Sequence, residues 1–122
     1  TSDQKNAYDS STGRLLLAYL DTGEREAFLS NYGLPDKEVW PEVSSGASLA
    51  VFLEDIKSNG YVFIEDSVQI VGFAAPIFQN GRIVAALSIY VPSFRFNPSL
   101  RQKMLEEGIK AAQVISEQLS VN

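Results

Sequence analysis

Val68-Gln69-Ile70-Val71-Gly72-Phe73-Ala74-Ala75-Pro76-Ile77-Phe78, then Gln79-Asn80-Gly81, then Arg82-Ile83-Val84-Ala85-Ala86-Leu87-Ser88-Ile89-Tyr90-Val91: this stretch decides the fold. Two apolar runs flank Asn80-Gly81, the dipeptide that most readily takes up positive φ, so the stretch predicts a tight β-hairpin. Pro92 breaks the second strand. Asn97-Pro98 then opens a long helix, with a capping side chain followed by proline at the first helical position. One hydroxyl, Ser88, sits inside a run that is otherwise almost wholly apolar. A buried hydroxyl must find a partner, in the protein or in a ligand.

Downstream of the hairpin, Leu100, Met104, Ala111 or Ala112, Ile115 and Leu119 form one stripe of the long helix. Gly108 falls on that stripe. A glycine inside a helix costs about 1 kcal/mol against alanine, which points to close packing against the sheet. Upstream, Ser10-Ser11-Thr12-Gly13 supply capping hydroxyls for a helix through Arg14 to Leu20, and Asp21-Thr22 opens a second that Gly33 stops. Residues 34–43 form a loop that Trp40 anchors in the core. Ser44-Ser45-Gly46 starts a third helix, with Leu49, Phe52, Leu53 and Ile56 on one face, and Asn59-Gly60 ends it. Tyr61-Val62-Phe63-Ile64 is a short strand, and Glu65-Asp66-Ser67 a polar turn. Residues 1–8 read as polar and loose. The predicted order is α-α-α-β-β-β-α, an α+β fold with an antiparallel sheet packed by helices. Three strands are few for this much helix, so a partner for the sheet is expected outside these residues.

The 122 residues make one domain, and 45% of them are apolar, enough for a sizeable core. The absence of cysteine excludes disulfides and thiolate metal sites and agrees with a cytoplasmic location. The absence of histidine removes the commonest general base and zinc ligand. There is no phosphate loop and no carboxylate pair at an obvious spacing, so an enzyme is the least favoured reading and no cofactor is expected. The net charge of −5 lacks the positive footprint that nucleic-acid contact needs. No segment approaches the ~20 apolar residues of a membrane span. The start, Thr1-Ser2-Asp3-Gln4-Lys5, has neither a signal peptide's shape nor an initiating Met, which reads as a fragment or trimmed chain.

Several stretches, taken in order, resemble the C-terminal effector-binding domain of the IclR family of bacterial transcriptional regulators. They are Tyr8 to Leu20 with Thr12-Gly13-Arg14, Tyr32-Gly33-Leu34-Pro35, Ser58-Asn59-Gly60-Tyr61, Ala74-Ala75-Pro76-Ile77, Gly81-Arg82-Ile83-Val84-Ala85-Ala86-Leu87-Ser88 and Pro92-Ser93-Phe94-Arg95. The resemblance implies a single GAF-like ligand-sensing domain over residues 1–122. It implies a small-molecule effector, homo-oligomers (dimers or tetramers), and DNA contact only through a winged helix-turn-helix that is absent from this chain, as the early strands of the effector domain are. It places the effector between the first helix's N-terminus and the hairpin, at positions that here are Ser11, Thr12, Gly72, Ser88 and Tyr90.

Elementary physics supports the helix start, since free N–H groups and the positive dipole end suit an anion. The plainer use of Ser10, Ser11 or Thr12 as an N-cap is compatible with that. The alternative use of Ser88 is as a core hydroxyl bonded to backbone, and that of Tyr90 is as a cover on the sheet. This chain departs from the family where Gly72 replaces a polar or thiol residue, where Tyr90 replaces a small hydroxyl residue, and where Ile64 stands near a usual acid. A glycine facing a tyrosine suggests that the ring fills vacated space, leaving the pocket either reshaped for an aromatic or larger ligand or closed. The closed case corresponds to a self-association domain using an exposed sheet edge with Phe94 and Phe96. Register bears on this: a two-residue turn pairs Phe73 with Ser88, whereas a three-residue Gln79-Asn80-Gly81 loop pairs Gly72 with Ser88. The resemblance favours the second.

Overall fold

A computed structural model describes residues 7–66 and 68–120. The expectations for residues 1–6 and Ser67 lie outside these. The elements are α1 (Ser11–Ala18), α2 (Thr22–Tyr32), α3 (Gly46–Asn59), β1 (Val62–Glu65), β2 (Ile70–Gln79), β3 (Arg82–Pro92), a 3-10 turn (Ser93–Arg95) and α4 (Pro98–Leu119). The expected order and the α+β class are both found. The sheet is antiparallel in the order β1-β2-β3.

The caps lie where the sequence puts them. Asp21 and Ser45 each accept from the N3 backbone N–H in reciprocal capping boxes. The Asn97 side chain accepts from Leu100 N–H, one residue before Pro98. Gly60 closes α3 at φ 80°. Residues 1–8 were expected to be loose, and Tyr8 corrects that: it is fully buried, donates its phenolic O–H to Gly33 O at 2.8 Å, and meets the Phe28 and Trp40 rings edge-on. Arg14 fixes the start of α1 to this cluster. Its guanidinium lies 3.8 Å from the Trp40 ring centre and donates to Tyr8 O and Val39 O. Burial pushes its pKa down to about 10, against the opposing pull of Glu42 and Asp9.

β2 is covered on both faces, which explains its nearly unbroken apolar run. Ala74 joins one core with Tyr8, Leu15, Trp40, Leu49 and Leu53. Phe73, Ala75 and Ile77 join the other with Met104 and Ala112 of α4. The sheet is thus a middle layer, with α1 and α3 on one face and α4 on the opposite one. Gly108 is buried on the α4 stripe as its position suggested. A Cβ built there would lie 2.3 Å from Phe73 Cε1.

The hairpin corrects both registers considered from sequence. Asn80 and Gly81, at φ 52° and 83°, form a two-residue turn with Gln79 opposite Arg82. A bulge follows: Phe78 faces Ile83 while Ile77 faces Ala85, so Val84 is the extra residue. Beyond it Ser88 faces Ala74, and Tyr90 faces Gly72. Neither Phe73 nor Gly72 pairs with Ser88. Because strand faces alternate with period two, Gly72, Ser88 and Tyr90 nevertheless share the face toward α1. The first hairpin strand also starts later than Val68. Asp66 Oδ1 accepts from the N–H groups of Val68 and Ile70, organising a turn before β2.

Candidate functional site

The site begins with the cap of α1. Ser10 Oγ accepts from Gly13 N–H at 2.9 Å, so Ser10 is the N-cap, and Ser11 and Thr12 are the first two helical residues. Their N–H groups have no acceptor within the helix, and they stand at its positive end. Thr12 Oγ1 lies 2.5 Å from Ser88 Oγ and 3.1 Å from the Tyr90 hydroxyl. The structure therefore joins the helix start to β3 through three side-chain oxygens.

Ser11 points beneath the sheet. It is 1% exposed, and its Oγ is the buried side-chain oxygen that has no hydrogen-bond partner among the described residues. A Cβ built at Gly72 would lie 2.7 Å from that oxygen and 2.9 Å from Tyr90 Cε1. Gly72 thus lets the Ser11 hydroxyl and the edge of the Tyr90 ring come close against the strand, into the space a side chain would need. All five residues singled out from sequence converge here. The exchange of volume between Gly72 and Tyr90 is present too, with the ring against the space a side chain would take. Tyr90 remains 53% exposed, so its ring is held on one side only.

Electrostatics marks the phenolic oxygen as a place that favours negative charge. The Tyr90 pKa is lowered from 10, chiefly by the Thr12 hydroxyl. Partial burial opposes this, the Ser11 and Ser88 hydroxyls assist, and Asp66 opposes weakly. Ser11 is close enough to contribute without hydrogen-bond geometry. Tyr8, by contrast, is pushed up to about 12 by burial. In a spectrophotometric titration Tyr90 is expected to ionise before Tyr8, and Thr12→Ala to return Tyr90 toward 10. The linkage signs differ. Tyr90's depressed value adds stability that is fully present above the unfolded value of 10 and is lost as pH falls through its folded pKa. Tyr8's raised value favours the fold below pH 10, and that contribution is lost as pH rises through about 12.

Sequence reasoning missed Arg14, whose role depends on where Trp40 and Val39 come to lie. Phe96 packs on Phe63 with ring centres 5.9 Å apart, while Phe94 is 84% exposed. Only the latter is a free surface residue.

Residues 3–117 match the family model described as the C-terminal domain of the bacterial transcriptional regulator IclR. The chain belongs to the IclR family. The Pca operon regulatory protein of Acinetobacter baylyi is 33% identical over 92 residues, which are 73% of this chain and 33% of that protein. The IclR-type chain therefore spans about a third of the length of that curated relative. The crystal structure of the C-terminal domain of the Escherichia coli regulator KdgR superposes with a TM-score of 0.77 at 26% identity, covering 93% of this chain and 70% of that one. An IclR homologue from Microbacterium gives 0.70 at 29%, covering 95% and 47%. The inducer-binding domain of PobR from Acinetobacter, a double mutant in complex with 3-hydroxybenzoic acid, shares the fold at 0.76 and 19%, covering 95% and 68%. Among the described residues, no helix of this IclR domain is long and apolar enough to cross a membrane.

Proposed function

We propose that this domain binds a small organic acid, an aromatic one by preference, and does not transform it. The acid's oxyanion takes the position that Tyr90's phenolic oxygen now occupies. The buried, partnerless Ser11 hydroxyl at the start of α1, lying against Gly72 beside the displaceable Tyr90 ring, carries this reading. A buried polar atom without a partner costs about 1–3 kcal/mol, and a ligand oxygen would relieve that cost. Tyr90 is itself an aromatic ring ending in a weakly acidic oxygen, and it sits among the hydroxyls as a hydroxybenzoate or benzoate would. Its exposed ring can swing outward with little loss of burial, while charge-assisted bonds to a carboxylate exceed the neutral ones they replace. That PobR holds 3-hydroxybenzoic acid within the same fold agrees with the size and chemistry.

In the cell the domain acts in the cytoplasm as part of an oligomeric regulator. Its ligand favours one subunit arrangement and so changes DNA affinity in a winged helix-turn-helix elsewhere in the protein. Calorimetric titration with 3-hydroxybenzoate and with aliphatic carboxylates tests the site. Thr12→Ala and Ser88→Ala are expected to weaken binding about tenfold each. Ser11→Ala is expected to weaken binding while raising stability by about 1 kcal/mol, since it deletes an unsatisfied group. Failure of every carboxylate to bind at millimolar concentration contradicts the proposal.

One observation favours a second reading. The Thr12, Ser88 and Tyr90 hydroxyls already bond one another, and β3 is an edge strand with Val84, Tyr90 and nearby Phe94 exposed. A domain with a closed site would use that edge to self-associate. Light scattering on Val84→Ser plus Phe94→Ser tests that interface: loss of an oligomer supports the edge contact, and a retained oligomer excludes it.

A further inference from the structure

A second recess lies at the other end of β2. β1 stops pairing at Ala74, so the edge of β2 beyond that point lacks a neighbouring strand among the described residues. A groove of about 590 Å³ opens there, lined by Pro76 and Phe78 of β2, Tyr19 after α1, and Gln113, Ser116 and Glu117 of α4 among others. This volume is in the range of small-molecule sites. Pro76 and Phe78 stand four and six residues along the strand from Gly72, roughly 13–20 Å away at strand rise, so the groove is separate from the α1 site.

The hydrogen-bonding character of the groove is one-sided. Pro76 is paired with Ala86 of β3, and its imide nitrogen, which has no proton, falls on the open edge as strand proline requires. Main-chain groups alternate sides, so Phe78 shares that edge. Its N–H is already donated to Ser116 Oγ at 2.9 Å, and Ser116 gives its own proton to Ala112 O at 2.8 Å. The edge thus has no donor left at these two positions and still presents carbonyl oxygen. A further β-strand, which must find donors as well as acceptors, is a poor occupant. Glu117 is among the lining residues and is exposed, and α4 supplies no basic side chain to the lining. The floor is apolar, with the Tyr19 and Phe78 rings meeting edge-on at 5.6 Å. Burial raises the Tyr19 pKa, keeping that phenol neutral. Lys57 lies 5.9 Å above the Tyr19 ring, so a second cation is favoured toward Glu117 and disfavoured over Tyr19.

We infer that this groove binds a small protonated primary amine with an apolar or aromatic body, its ammonium donating to Glu117 and the free β2 carbonyl oxygen while the body lies on the Tyr19–Phe78 floor. Amide-resolved NMR titration with phenethylamine, and with phenylacetate as a same-shaped anion, tests this. The amine is expected to shift the Gly60, Phe78 and Gln113 amides. Glu117→Gln should weaken that binding about tenfold, and Thr12→Ala should leave it unchanged. Phenylacetate should leave the groove amides unmoved, whatever it does at Ser11 and Ser88. The inference is overturned if phenethylamine moves no groove amide at about 10 mM, a concentration that would reveal even weak millimolar affinity. It is equally overturned if Glu117→Gln binds the amine as well as the native chain does, or if the anion fills the groove instead.

Discussion

Phe73→Ala is expected to destabilise the domain by about 3–5 kcal/mol, the largest loss from any single truncation here. Phe73 is fully buried in the middle of the central strand. Its ring packs 5.1 Å from Phe63 and stacks at 6.3 Å on Tyr61. On the α4 side it lies against Gly108 so closely that no Cβ fits between them. Alanine would leave a cavity enclosed by a strand, two aromatic rings and the backbone of a helix, none of which can collapse far. Urea unfolding should show the midpoint falling with an unchanged slope. A loss below about 1 kcal/mol would mean that the α4 face is not the rigid core described.

Gly108→Ala is expected to cost about 1–3 kcal/mol through overpacking, although alanine at an ordinary helical position gains about 1 kcal/mol over glycine. The sign is therefore the informative quantity. The added methyl meets Phe73 Cε1 at 2.3 Å and Cζ at 2.8 Å, so α4 must lift from the sheet or the ring must leave its rotamer. The same substitution made together with Phe73→Leu should cost clearly less than it does alone, because the two side chains compete for one volume. A stabilising Gly108→Ala in the native background contradicts the packing. Gly72 makes a useful contrast: its neighbours are a hydroxyl and the edge of a half-exposed ring, which can give way more readily than Phe73.

Local signals in the sequence carried most of the fold. Capping side chains at Asp21, Ser45 and Asn97, the stops at Gly33 and Gly60, and the Asn80-Gly81 turn each act over three or four residues, so a linear reading finds them. The register of β3 was not legible. It depends on the bulge at Val84, which no residue type announces and which moves every pairing beyond it by one. Gly72, Ser88 and Tyr90 still share one face because the observed register differs by two from the three-residue-loop register, and a shift of two preserves the faces. Ser11's lack of a partner was equally invisible, since it follows from how closely Gly72 lets the helix approach. The amine groove escaped the sequence reading for a similar reason. It exists because β1 is four residues long while β2 has ten, and relative strand lengths emerge only on folding.

The central claim is that a carboxylate replaces the Tyr90 phenolic oxygen among the hydroxyls of Ser11, Thr12 and Ser88. The direct measurement is the pKa of Tyr90, followed by NMR of tyrosine labelled at Cζ, with and without saturating 3-hydroxybenzoate. Without ligand the resonance should titrate below the ordinary value of 10. With ligand it should return to 10 or above as the ring is released and an anion takes its place, while Tyr8 stays near 12. A Tyr90 titration that ligand leaves untouched, with binding confirmed independently, would show that the acid lodges elsewhere and would contradict the account.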